Sequence, residues 1–123
     1  MARILVIDDD LEMRAMLKQT LSAAGHEVAS AKDGKQGMKE YWATLADLIV
    51  SDIFMPEKDG VEIIMELRRD FPKLPFIAMS GNPSGMNLLN LTQKLGAARI
   101  LEKPFHPSEL LTAVEDVLKS SRA

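Results

Sequence analysis

Apolar blocks of four or five residues alternate along the chain with longer stretches whose apolar positions recur every three or four residues. That is the pattern of repeated strand–helix units around a buried parallel sheet. Strands are expected over 4–7, 28–31, 48–51, 76–79 and 98–101. The first, third and fourth are continuously apolar, as strands covered on both faces should be, whereas the second and fifth are more polar and suit the sheet edges. Between the first two, Met13, Met16, Leu17 and Leu21 fall on one face of a helix over 11–21, with Asp10 placed to cap it and Gly25 to stop it. Further helices are expected over 34–45 and 61–70, then after Pro83-Ser84-Gly85, and finally from a Ser108 cap with Glu109 in the first turn. Residues 120–123 read as a frayed tail or the stub of a linker. Right-handed crossovers make one doubly wound α/β domain, a five-stranded parallel sheet with helices on both faces, the economical arrangement. Ligands in such sheets bind at the carboxyl ends of the strands.

At that rim the first strand ends in Asp8-Asp9-Asp10, the third in Asp52 and the fourth in Ser80, while the fifth runs into Lys103. Converging carboxylates repel one another unless a cation joins them, and an all-oxygen ligand set suits a hard ion such as Mg²⁺. Asp8, Asp9 and Asp52 contribute three negative charges, and Lys103 with a divalent ion would contribute three positive ones. In such a neutralised site a carboxylate can attack phosphorus, and catalysis of the transfer is mostly positioning and charge compensation. The Ser80 hydroxyl can donate to a phosphoryl oxygen. Asp10 is read as only a helix cap.

Composition narrows the picture. Fifteen basic and 18 acidic residues give a net charge of −3, and Arg68-Arg69 is the only adjacent basic pair. This charge balance is not that of a surface that binds nucleic acid directly. There is no cysteine among the 123 residues, so a disulfide framework and a Cys-ligated metal are excluded. No window approaches the roughly 20 apolar residues that span a bilayer. The short apolar run before Asp8 is too acidic on its far side for a signal peptide, and a cytoplasmic protein is expected.

Asp8-Asp9, the run from Asp52 to Gly60 (DIFMPEKDG), Ser80-Gly81 and Lys103-Pro104-Phe105 together resemble the receiver domain of bacterial two-component response regulators, over essentially the whole chain from Arg3 to about Leu118. The resemblance implies a flavodoxin-like sheet of strand order 2-1-3-4-5, with residues 1–119 as the receiver. It implies a phosphorylation-dependent signalling domain that catalyses its own phosphorylation and dephosphorylation rather than an enzyme acting on others. Asp52 would be the phosphoacceptor, taking its phosphoryl group from a sensor histidine kinase or a phosphotransfer protein in a phosphorelay. Asp9 and Asp52 would ligate Mg²⁺ with the Phe54 backbone carbonyl, and Asp8 would act through water. Lys103 would pair with carboxylate and phosphoryl oxygens, Ser80 would close on the phosphoryl group, and Lys103-Pro104 would be a cis peptide. Phe54 and Asn82 occupy positions that tune access of water to the acyl phosphate.

One position departs from the family. Ile100 stands where the family's switch residue is usually Tyr or Phe, and an aliphatic side chain has no hydroxyl with which to change partners. The stretch from Gly81 to Gln93 carries no charge, while Leu88, Leu89, Leu91 and Leu95 crowd the expected fourth helix. Only part of that set can face a sheet, so the helix is expected to present a partner surface; the resemblance implies that this helix, the fifth strand and the last helix form the face that controls a partner or output domain, or a homodimer. Two other readings compete. In a small hydrolase resembling the haloacid dehalogenase superfamily, Asp8 would be nucleophile and Asp10 general acid; a docking-only receiver would keep the fold without phosphoryl transfer.

Overall fold

A computed structural model describes residues 2–53, 60–80 and 96–122. The elements are β1 (Arg3–Ile7), α1 (Leu11–Ala23), β2 (Glu27–Ala31), α2 (Gly34–Thr44), β3 (Leu48–Asp52), α3 (Gly60–Asp70), β4 (Phe76–Ser80), β5 (Arg99–Glu102) and a C-terminal helix (Pro107–Arg122). The five strands pair in parallel in the order β2-β1-β3-β4-β5. The apolar runs therefore lie in the centre and the two polar strands at the edges, as their composition predicts. The fourth helix expected after Gly85, with its leucines, falls outside the described residues.

Side chains alternate across the sheet and build two cores. Ile4, Val6, Leu48, Val50, Ile77, Met79 and Leu101 face α1 and the C-terminal helix, meeting Leu17, Leu21, Leu110 and Val114. Leu5, Ile7, Ile49, Phe76 and Ala78 face the other way, towards Tyr41 on α2 and Leu67 on α3. Leu5, Val6 and Ile7 are completely buried, each contributing roughly 1.5–3 kcal/mol of hydrophobic stabilisation. Close approach of α2 to β1 requires Gly37, because a Cβ there would overlap Ile7 Cδ1.

Helix ends follow side-chain chemistry. Asp10 caps α1 by accepting from the Glu12 amide at 2.9 Å, and the chain turns at Gly25 with φ +95°. Asp33 caps α2, accepting from the Gln36 amide at 2.8 Å, while Gln36 reaches back to the Lys32 amide. The C-terminal helix differs from expectation. It starts at Pro107, one residue before the expected cap, and the cap position falls to His106. Proline lacks the amide a first-turn residue would leave unpaired and holds the helical φ. The His106 Nδ1 accepts from the Ser108 amide, and Glu109 Oε1 accepts from the His106 amide. Where a tail is expected from Ser120, helical backbone runs on to Arg122, since neither glycine nor proline intervenes after Leu118. Among the described residues no helix is long and apolar enough to cross a membrane.

Candidate functional site

The carboxyl ends of β1, β3 and β4 and the turn after β5 form one rim. Continuing the alternation of β1 and β3, Asp8 and Asp52 follow Val6 and Val50 on the side of α1 and the C-terminal helix. Lys103 follows Leu101 on that same side. Period-two geometry thus delivers two carboxylates and an ammonium from three strands to one point. Asp8 is completely buried and Asp52 is 7% exposed.

Lys103 Nζ donates to Asp8 Oδ2 at 2.6 Å and to Asp52 Oδ2 at 2.9 Å. Its backbone is held in turn, with its amide donating to the Ser80 carbonyl at 2.8 Å and a cis bond to Pro104, as expected. Burial works against the Lys103 ammonium, but the two carboxylates outweigh it and its pKa stands above the ordinary lysine value. Lys103 is therefore charged at neutral pH. Burial pushes the Asp8 carboxyl above its ordinary value, opposed by the hydrogen bonds from Lys103 and the Asp10 amide and reinforced by the Asp52 charge.

Asp9 is exposed, and one carboxylate oxygen from each of Asp8, Asp9 and Asp52 lies within 4.8 Å of the others. The donor set is entirely anionic oxygen, with one lysine against three carboxylates. It fits a small divalent cation of the Mg²⁺ kind.

Ser80 is buried at the end of β4. It follows Phe76 and Ala78, whose side chains face α2 and α3, so strand alternation puts Ser80 on that face at the last residue of β4, level with the rim that carries Asp52. Ile100 packs against that same second core, and its register partner on β4 is Ala78, two residues before Ser80. The expected switch pair therefore shares one sheet face. Phe54 and Asn82 lie outside the described residues.

Two residues at the rim carry no mark in the sequence. Arg14, on the second turn of α1, donates from Nη1 to the Asp8 carbonyl at 2.7 Å. Buried Ser51 donates its hydroxyl to the Asp52 carbonyl at 2.9 Å. Neither could be read from spacing, because both bind backbone rather than another functional side chain. Of the histidines, His106 serves as a cap and His26 accepts from the Ala2 amide through Nδ1.

This rim, on this sheet, coincides with a match over residues 4–115 to the model for the response regulator receiver domain. The chain belongs to the response regulator receiver family. It is 34% identical to the chemotaxis protein CheY of Thermotoga maritima, covering 95% of this chain and 98% of that one. It is 31% identical to PhoP of Bacillus subtilis, an alkaline phosphatase synthesis transcriptional regulatory protein, covering 97% of this chain but 49% of the relative. The receiver thus spans about half of PhoP and nearly all of CheY. A solved response regulator receiver domain protein from Clostridium thermocellum superposes with a TM-score of 0.93 at 27% identity, over 99% of this chain and 98% of that one. Receiver domains are signalling domains, and the rim is consistent with phosphorylation-dependent signalling. Neither competing reading is favoured. In particular, Asp10 is engaged as the α1 cap, a poor arrangement for the general acid of a hydrolase.

Proposed function

We propose that Asp52 accepts a phosphoryl group from a phosphohistidine of a sensor kinase or phosphotransfer protein. An Asp52 carboxylate oxygen forms the new bond to phosphorus as the P–N bond breaks, and the imidazole leaves with the bonding electrons and takes up a proton. The observation that carries this reading is Lys103 Nζ within hydrogen-bond reach of both Asp8 and Asp52. It stands beside the nucleophile without covering both of its oxygens, where it can donate to an arriving phosphoryl oxygen. Mg²⁺ would be held by Asp9 and Asp52, with the Phe54 carbonyl as the family's further ligand and Asp8 acting through water. When bound, it neutralises charge on carboxylate and phosphoryl oxygens. Asp8, whose two oxygens already take the Asp10 amide and Lys103, orients the lysine.

Residues 1–119 are read as the receiver unit, working in the cytoplasm. Ser80 donates to the phosphoryl group, and Ile100, beside it on the same sheet face, senses the movement by packing alone. Phosphorylation acts at a distance by favouring one of two arrangements of the face that includes β5 and the C-terminal helix. That face controls a partner, an output domain or a second copy. With a net charge of −3, DNA contact is assigned to something other than this unit.

The test is intact mass after incubation with acetyl phosphate, with and without Mg²⁺. A hydroxylamine-labile gain of about 80 Da, one phosphoryl group, that requires both the metal and Asp52 is expected. An adduct that survives Asp52→Asn, or none in the wild type, refutes it.

A further inference from the structure

All four polar sites of Asp8 are taken. Its amide donates to the Ala31 carbonyl of β2 at 3.1 Å, Oδ1 accepts from the Asp10 amide at 2.9 Å, and Oδ2 accepts from Lys103. The fourth is its carbonyl, held by half-buried Arg14 from the second turn of α1 at 2.7 Å. A guanidinium donating to a carbonyl makes a charge-assisted bond, roughly twice as strong as a neutral one. That carbonyl belongs to the peptide group joining Asp8 to Asp9. Its plane sets the direction from which Asp9, the exposed member of the carboxylate cluster, presents its side chain. The Arg14 amide also makes the first helical bond of α1, donating to the Asp10 carbonyl at 3.0 Å. One residue thus ties the helix to the turn that carries two of the three cluster carboxylates.

We propose that Arg14 is a positioning residue for the divalent-cation site: by locking the Asp8–Asp9 peptide it holds Asp9 in ligating orientation, so that loss of its donors weakens cation binding without unfolding the domain. This deepens the phosphoryl-transfer reading and rests on its metal site. Outer partners that orient a metal ligand commonly change affinity by about 10- to 100-fold when removed. Arg14 contacts the ligand's peptide rather than its carboxylate, so the lower end, about tenfold, is expected.

The test uses Mn²⁺, which suits the same oxygen donors and whose free form is counted by electron paramagnetic resonance, on the intact chain without any phosphodonor. Arg14→Met keeps the aliphatic stem and removes the donors; Arg14→Lys keeps a charged donor. Expected are about tenfold weaker Mn²⁺ binding in Arg14→Met, recovery to within about threefold of wild type in Arg14→Lys, and cooperative thermal unfolding in all three. Should Arg14→Met fail to fold, Arg14→Gln, whose amide is too short to reach, makes the same comparison. Wild-type Mn²⁺ affinity in a neutral variant, whatever its melting temperature, leaves Arg14 a structural residue and overturns the proposal alone. A wild type that binds no Mn²⁺ overturns the metal site and the proposal with it.

Discussion

Replacing Asp9 by asparagine should make the metal-free protein more stable. Asp9 is exposed, and its carboxylate lies within 4.8 Å of oxygens of both Asp8 and Asp52. At that distance one like-charged pair repels by about 0.9 kcal/mol in a water-like medium and about 3.5 kcal/mol at an effective dielectric constant of 20. Lys103 offsets one of the two repulsions, and the exposure of Asp9 favours the water-like value. The net gain in Asp9→Asn is then about 1 kcal/mol. For a domain of 123 residues that is a rise of about 4 °C in melting temperature. Mg²⁺ should reverse the ranking. At a concentration 100 times its Kd the wild type gains about 2.7 kcal/mol, and the variant, short of an anionic ligand, gains much less. Thermal melts in EDTA and across a Mg²⁺ titration should therefore cross. An Asp9→Asn protein less stable than wild type in EDTA, or one that gains as much from Mg²⁺, refutes the picture of a site strained by its own charge.

Lys103→Met leaves the two buried carboxylates facing each other. Breaking a buried pair costs about 3–5 kcal/mol, and with the lysine side chain 18% exposed, a loss of about 2–3 kcal/mol is expected in metal-free urea unfolding. Leu45 ends α2 in the left-handed region at φ 51° with its side chain exposed, so Leu45→Gly should stabilise the protein by about 0.5–1 kcal/mol in the same assay. Burial, then the nearby Asp47 charge, raises the pKa of Tyr41 above its ordinary value of 10.0. Folding favours the protonated phenol, so its contribution is full below pH 10 and is lost as the pH climbs through the higher folded value. The stability difference between wild type and Tyr41→Phe should be constant below pH 10 and shift against the wild type above it; a flat difference to pH 12 would exclude the effect.

The strands were legible because burial on both faces leaves a continuous apolar run. Ile4 to Ile7, Leu48 to Ser51 and Phe76 to Met79 could hardly be anything else, and their true bounds differ by at most one residue at either end. Asp52 was legible for a related reason, since a charge directly after such a run must stand at the sheet rim, and Lys103 was legible from the Lys103-Pro104-Phe105 motif beyond the fifth strand. Arg14 was not. Its role depends on which face of α1 turns towards the β1 turn, and a half-buried arginine on a helix looks like any solvated one. The start of the last helix was misplaced because serine is the commoner cap, and only the fold shows a histidine ring taking that position before a proline. Ser80 was found as a hydroxyl, but its register beside β5 required the structure.

That register divides the work of the molecule. Asp8, Asp52 and Lys103 continue the strand faces packed on α1 and the C-terminal helix, whereas Ile100 packs into the layer built on α2 and α3, with Ser80 at the rim end of that face. On the proposed chemistry the mark is written on one side of the sheet and passed across the rim at Ser80 to the other, with β4 between scribe and reader. Substitutions beneath the first layer can change how fast the mark is made or erased while leaving its meaning alone. Those beneath the second can change what it means to a listener while leaving the ink untouched, so the two properties can drift independently in descendants of this fold.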